Sequence, residues 1–205
     1  MNYLAHLHLG GPQPADMLGS LYGDFVKGPL DGRWPAGIEA GIRLHRQIDA
    51  YTDSHPLVLQ AKQRFPKERR RYAGILIDLF FDHCLATHWH EYADEPLQHF
   101  TARVYQALHE EETRLPGKLA LIAPRMAAQD WLGSYRNFSV MEQVVAAMSR
   151  RLSRPEGLAG GAIELERLYA PLQQDFHDFY PQLQAFAKRS NAAPPEASNR
   201  PEHYI

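Results

Sequence analysis

Apolar residues along this chain recur every three or four positions and seldom alternate, and no run of β-branched residues is bounded by hairpin turns. Helices bury such a pattern and strands do not, so the expected class is all-α, a compact single-domain helical bundle. Proline and glycine supply the punctuation. Asn2 is placed to cap a first short helix, which Gly10-Gly11-Pro12 would end, and a second helix is expected over 14–27. Loops at Gly28-Pro29 and Gly32-Arg33-Trp34-Pro35 precede a long helix over 36–52, a short one over 57–65 and a longer one over 67–92. Helical spacing returns over 96–114, 119–128, 140–152 and 163–188. Residues 1–189 are read as one helical domain. From Ser190 to Ile205 the composition turns to Asn, Ala, Pro, Glu and Ser, which predicts a mobile tail.

Charge inside that apolar pattern is what calls for explanation. His45 and Asp49 stand one helical turn apart, and so do Asp78 and Asp82, the latter pair interrupting an apolar body of Ile75, Leu76, Leu79, Phe80 and Leu85. Residues four apart share a helix face, so each pair can aim two ligand atoms at one point. A carboxylate buried in an apolar helix is costly unless a metal or a cationic partner compensates it. Buried salt bridges are the plainer explanation of either pair; two such pairs together point to a metal site. One imidazole and three carboxylates suit a hard or borderline divalent cation.

Asp24 lies between Leu18, Leu21 and Tyr22 on one side and Phe25 and Val26 on the other, either as a helix-end cap or as a further ligand that orients a water. His6 and His8 are two apart and cannot share a face, so at most one serves the site; His6, four after Asn2, is preferred. Asp53 precedes Ser54 and Pro56 and reads as a cap. His83 points away from Asp82 around a helix, while His88 and His90 read as packing or surface residues. The strongest charge run is Arg64, Lys67, Arg69, Arg70 and Arg71, with Arg43 and Arg46 flanking His45. Cations at a helix start oppose the macrodipole, so this run reads as a docking surface for a phosphate-bearing or acidic macromolecule, RNA being one claimant.

Other chemistries are excluded or disfavoured. With Cys84 as the single cysteine, no intramolecular disulfide, cysteine-rich zinc module or iron–sulfur site can form, and a reducing cytoplasm fits best. No glycine-rich phosphate loop or Gly-x-Ser-x-Gly elbow is present, so a water activated by a divalent cation is the better nucleophile. The formal net charge of -2 gives no global attraction to nucleic acid, which is not an expected partner. No apolar stretch approaches the roughly 20 residues of a membrane span, and no secretory leader is recognisable, so a soluble cytoplasmic protein is expected.

Several blocks together resemble one family, the acyl carrier protein phosphodiesterases: Asn2-Tyr3-Leu4-Ala5-His6, Gly23-Asp24-Phe25-Val26-Lys27-Gly28, His45-Arg46-Gln47-Ile48-Asp49 with Thr52-Asp53, and Asp78 through Asp82-His83 with His88-Trp89. Weaker similarity runs through Trp131, Tyr135-Arg136 and Met148-Ser149-Arg150-Arg151 to Phe179-Tyr180-Pro181. The chain departs from the family's usual residues at Ser20, where asparagine is usual, at Gly23 in place of alanine and at Cys84 in place of phenylalanine.

The resemblance implies hydrolysis of the phosphodiester joining 4'-phosphopantetheine to the serine of holo acyl carrier protein, within fatty acid biosynthesis, with manganese as cofactor and magnesium or another divalent cation as substitute. It also implies distant kinship with the helical His-Asp phosphohydrolases, although their adjacent His-Asp doublet is absent as such. On this reading His6, Asp24, His45, Asp49, Asp78 and Asp82 hold one ion or two close ones, Asp24 orients the water, and Arg43 or Arg46 holds non-bridging oxygens. The carrier, acidic in this family, would dock on the basic run. The rivals are a phosphohydrolase of nucleotides or other small phosphodiesters, and a non-catalytic helical module that binds acyl carrier protein or RNA.

Overall fold

The structure, a computed structural model, describes residues 1–150 and 157–192. Among the described residues there are eleven α-helices and no strand, so the class is all-α as expected. They are α1 (Tyr3–Gly10), α2 (Pro14–Phe25), α3 (Ala36–Ser54), α4 (Pro56–Gln63), α5 (Ala73–Thr87), α6 (Leu97–Glu110), α7 (Gly117–Ala128), α8 (Trp131–Ser134), α9 (Val140–Ser149), α10 (Gly161–Arg167) and α11 (Tyr169–Ala192). No helix among the described residues is long and apolar enough to cross a membrane.

The core forms around α5, whose Leu76, Ile77, Leu79, Phe80, Phe81, Cys84 and Leu85 are fully buried, and Phe176, Phe179 and Leu183 of α11 pack on it. Helix α1 is short but touches α2, α3, α5 and α11, and six of its eight residues are buried, His6 among them. A helix enclosed in this way must find partners for its free first amides inside the protein. The Asn2 side chain does not cap it; its amide donates instead to the Tyr135 hydroxyl at 3.1 Å. The Asp82 carboxylate reaches across from α5 and accepts from the amides of Leu4 at 2.8 Å and Ala5 at 3.0 Å. Gly11, with φ of 130°, turns the chain out of the helix where a side chain would be strained.

The most extensive helix pair is α2 with α3, and it packs through a ladder of small residues. A methyl added at Gly37 would meet Ala15, one added at Gly41 would stand 2.7 Å from the α-carbon of Gly19, and one added at Gly23 would strike the His45 ring. In each of the three contacts the α3 residue lies 22 positions after its α2 partner, and both members advance together along the chain, so the two helices run parallel. The intervening loop must therefore travel back along their length. Buried Glu39 pins that loop, its Oε1 accepting from the amides of Gly32 at 2.9 Å and Trp34 at 3.4 Å.

Element boundaries differ from expectation where side chains compete with the helix. The single helix expected over 67–92 is α5 between two 3-10 turns, Arg70–Tyr72 and Trp89–Glu91. Ahead of α5 the cations fold back onto carbonyls, Arg70 onto Phe65 at 3.2 Å and Arg69 onto Ala159 at 2.7 Å. Behind it, the His88 ring nitrogen Nδ1 competes for the Cys84 carbonyl at 3.0 Å. The helix expected over 163–188 breaks at Leu168 into α10 and α11. Of the tail expected over 190–205, residues 190–192 instead complete α11, and Asn191 donates to the Gly10 carbonyl at 3.2 Å; the rest, 193–205, lies outside the described residues.

Candidate metal centre

Three helices meet where α1 presents His6, α3 presents His45 and Asp49, and α2 presents Asp24. His45 and Asp49 share one face of α3, as their spacing requires. Their Nε2 and Oδ2 atoms are 3.2 Å apart, and the other Asp49 oxygen lies 3.0 Å from Nε2 of His6. The two imidazoles stack with centroids 3.7 Å apart and an interplanar angle of 19°. Among the described residues, His6, His45 and Asp49 form the only group of three or more such side chains whose ligand atoms converge, all within 4.8 Å of one another. Asp24 stands beside them, its Oδ1 3.9 Å from Nε2 of His45.

The protonation chemistry of this group is constrained. Nδ1 of His45 lies 2.8 Å from the Ser20 carbonyl oxygen, which can only accept, so Nδ1 carries the proton. In the neutral ring, Nε2 then turns a lone pair towards the Asp49 carboxylate. Two acceptors at 3.2 Å repel unless a proton or a cation stands between them. His6 adds a second mismatch. If its Nε2 donates to Asp49, then Nδ1 is an acceptor that is buried without any hydrogen-bond partner. Burial pushes the His6 imidazole down to a pKa of about 3, so this ring is neutral at ordinary pH. Burial opposes ionisation of Asp49 too, but the His45 and His6 rings outweigh it and hold this carboxyl far below the usual range. For Asp24, burial wins and raises the pKa.

This donor set fits a divalent first-row ion. Two imidazole nitrogens and one carboxylate favour such an ion over magnesium, which prefers oxygen throughout. The His45 Nδ1–H bond to a carbonyl is also the usual device for orienting a metal-binding imidazole.

The family model described as acyl carrier protein phosphodiesterase matches residues 1–183, a span containing every residue of this group. The chain belongs to the acyl carrier protein phosphodiesterase family. Curated relatives of that name include one from Photorhabdus laumondii, 35% identical over 194 residues and covering 93% of this chain and 97% of its own. A relative from Serratia proteamaculans is 36% identical over 191 residues, with 92% of this chain and 98% of the relative covered. One from Escherichia coli O157:H7 is 34% identical over 190 residues, again with 92% and 98% covered. No solved structure matches the chain.

The remaining residues singled out in the sequence take varied places. Asp78 Oδ1 lies 3.1 Å from the amino nitrogen of Met1, which is itself 3.5 Å from Asp49 Oδ1, so Asp78 joins the group through that nitrogen. Asp82 is turned away to the amides of α1 and is fully buried; burial pushes its pKa up to about 7. Arg46 donates to the Val26 carbonyl at 3.0 Å, just past Asp24, while Arg43 pairs with Glu39 at 3.6 Å. Asp53 pairs with Lys62 at 2.8 Å, and the cap of α4 is His55. His8 bonds the Tyr180 hydroxyl at 2.7 Å and the Tyr92 carbonyl at 3.1 Å, away from the group.

Within the basic run, Arg64 forms a two-pronged bond to the buried Asp175 carboxylate at 2.8 and 2.9 Å, and Arg69 and Arg70 are tied to carbonyls. Lys67 and Arg71 are exposed. Two residues singled out in the sequence, Ser20 and Gly23, bear on the centre. Ser20 contributes its carbonyl, while its hydroxyl fills the space beside Gly10. Gly23 leaves room for the His45 ring, which a methyl there would meet at 2.2 Å. The Ser20 carbonyl left no trace in the side-chain pattern, because a backbone acceptor carries no residue signature.

Proposed function

We propose that this chain hydrolyses the phosphodiester joining 4'-phosphopantetheine to the serine of holo acyl carrier protein, with a divalent cation, manganese first, held by His6, His45 and Asp49. One observation carries the proposal: Nε2 of His45 faces the Asp49 carboxylate at 3.2 Å and Nε2 of His6 faces its other oxygen at 3.0 Å, in a chain whose relatives are named acyl carrier protein phosphodiesterases. When bound, such a cation neutralises phosphoryl oxygens and lowers the pKa of a water.

The protein's own groups supply the rest. Hydrogen-bonded to Ser20, His45 keeps its Nε2 lone pair aimed at the centre, and His6 lies stacked against it. Asp24, its pKa raised by burial, is suited to orient the attacking water and accept its proton. The water oxygen bonds to phosphorus, the bond from phosphorus to the serine oxygen breaks, and the proton taken from the water is returned to that serine oxygen. Apo carrier and free 4'-phosphopantetheine result. Arg46, with four guanidinium donors left after its bond to Val26, and Arg43 are the cations nearest in sequence to His45 for holding non-bridging oxygens. Asp78 serves as an outer carboxylate, and Asp82 supports α1, which delivers His6. The acidic carrier docks on Lys67 and Arg71, while Arg64, Arg69 and Arg70 shape the same stretch from within.

Intact-mass analysis of holo acyl carrier protein incubated with the protein, with manganese or with chelator, tests this directly. Loss of the phosphopantetheine mass only with manganese is the expected result. An unchanged carrier mass, with manganese demonstrably bound, would overturn the substrate and leave a phosphohydrolase of smaller diesters.

A further inference from the structure

A cavity of about 450 Å³ opens between α7, α8 and α9, with Tyr3 of α1 as one wall. That volume is in the range of small-ligand sites. Tyr3 stands three residues before His6, on the same face of α1. Its ring stacks on Phe25, the neighbour of Asp24, at 6.4 Å. A second wall residue, Tyr135, is tied through its hydroxyl to Asn2, immediately before α1. The first turn of α1 thus separates the cavity from the His6–His45–Asp49 group and belongs to both.

The lining is chemically selective. Trp131, Val144, Ala147 and Met148 provide apolar walls, Gln129 and Gln143 provide amides, and among the described residues Arg125 is the only charged one. The Gln129 carbonyl is spent on Arg125 at 3.2 Å and on the Trp131 indole at 2.9 Å, which orients its NH2 group as a donor. Such a cavity repels neither an aliphatic chain nor an amide, and among the described residues it has no carboxylate to match a cationic ligand.

We infer that this cavity seats the pantetheine arm of the substrate, a neutral chain of short aliphatic links and two amides, with its phosphate end passing Tyr3 to the His6–His45–Asp49 group. The inference rests on the proposed carrier reaction for its choice of ligand. Apolar links lie against Trp131, Val144 and Met148, the amides meet Gln129 and Gln143, and the thiol end points away from the centre. Specificity for the prosthetic group then comes from the arm, and the carrier's protein surface contributes separately.

Pantetheine itself, which lacks the phosphate, is the probe. It is titrated into 15N-labelled protein while the Trp131 indole resonance, assigned through Trp131→Phe, is followed. Saturable movement of that resonance in the unaltered protein, lost in Ala147→Phe, is expected, together with a rise of about tenfold in KM for holo carrier that exceeds any change in kcat. If Ala147→Phe fails to unfold cooperatively, Gln143→Ala replaces it, with binding weakened about threefold or more. No movement of Trp131, or the same saturation curve in the filled variant, overturns the inference. The titration decides it even if holo carrier is not cleaved, a result that would count against the proposed function alone.

Discussion

Replacing Gly41 by alanine tests whether close approach of α2 and α3 builds the centre. The added methyl would stand 2.7 Å from the Gly19 α-carbon, 3.0 Å from its carbonyl carbon and 3.2 Å from the Asp16 carbonyl oxygen. Carbon atoms in ordinary contact are about 3.5–4.0 Å apart, so the helices must part by about 1 Å at this crossing. All three obstructing atoms are backbone, and no side chain can rotate away. Overpacking of this kind costs about 1–3 kcal/mol or more, and the gain in helix propensity returns about 1 kcal/mol. With rigid backbone on both sides the upper end applies, leaving a net loss of about 2 kcal/mol. For a domain of this size that lowers Tm by about 4–8 °C. Because Asp24 and Ser20 ride on α2 and His45 on α3, the same displacement widens the 3.9 Å Asp24–His45 separation and draws the Ser20 carbonyl away from the His45 ring, which should weaken manganese binding by the proposed ligand set. Scanning calorimetry with and without manganese reads both effects. Gly74→Ala is the control, since its methyl would meet only the flexible Lys62 tail at 3.4 Å and should be neutral or slightly stabilising. A Gly41→Ala protein as stable as the parent, with undiminished response to manganese, would refute the reasoning.

Manganese at a hundredfold excess over its Kd should stabilise the protein by about 2.7 kcal/mol, raising Tm by about 5–11 °C; Asp49→Asn should abolish the rise, and an equal rise in that variant would remove Asp49 from the ligand set. Asp82 gives a pH dependence with a definite sign. Its folded pKa is about 7 against an ordinary 3.8, so between these values the native state holds a proton that the unfolded chain has released. Stability from this group is full below about pH 4 and is lost as pH rises through 7. Urea unfolding should show the parent losing ground to Asp82→Asn by at most about 1.4 kcal/mol per pH unit between pH 5 and 7, then running parallel to it; a constant difference throughout would place the Asp82 pKa elsewhere. Lys67→Glu with Arg71→Glu should lower kcat/KM for holo carrier and flatten its salt dependence. Unchanged salt dependence would move docking to another face.

How much of this was legible in the sequence depends on the length scale of each interaction. The all-α class follows from apolar period alone, and the His45–Asp49 pair follows from helical spacing; both are local. Asp82 was legible as a charge needing compensation, but not its partners, because backbone amides 77 and 78 positions away have no residue signature. Similarly, Arg64 reads as one member of a basic run until Asp175, 111 positions on, takes its guanidinium. Helix ends were misjudged where the competitor was a side chain folding back, as with Arg70 and His88. The cavity could not be read at all, since Tyr3 and Met148 meet only in the folded chain.

One long-range feature did leave a readable trace. Ala15, Gly19 and Gly23 recur every fourth position on α2, and Gly37, Gly41 and His45 do so on α3. At the first two rungs small residues face each other and the backbones approach; at the third, a glycine faces an imidazole. The ring occupies the volume that a side chain at Gly23 would have taken, and the Ser20 carbonyl, one turn before Asp24, lies within its reach at 2.8 Å. A helix pair held further apart would carry His45 beyond that carbonyl, leaving the tautomer unfixed and the Nε2 lone pair free to turn away. Close packing and imidazole orientation are therefore one structural property. Its sequence signature is a small-residue repeat whose last rung exchanges a small residue for a ligand.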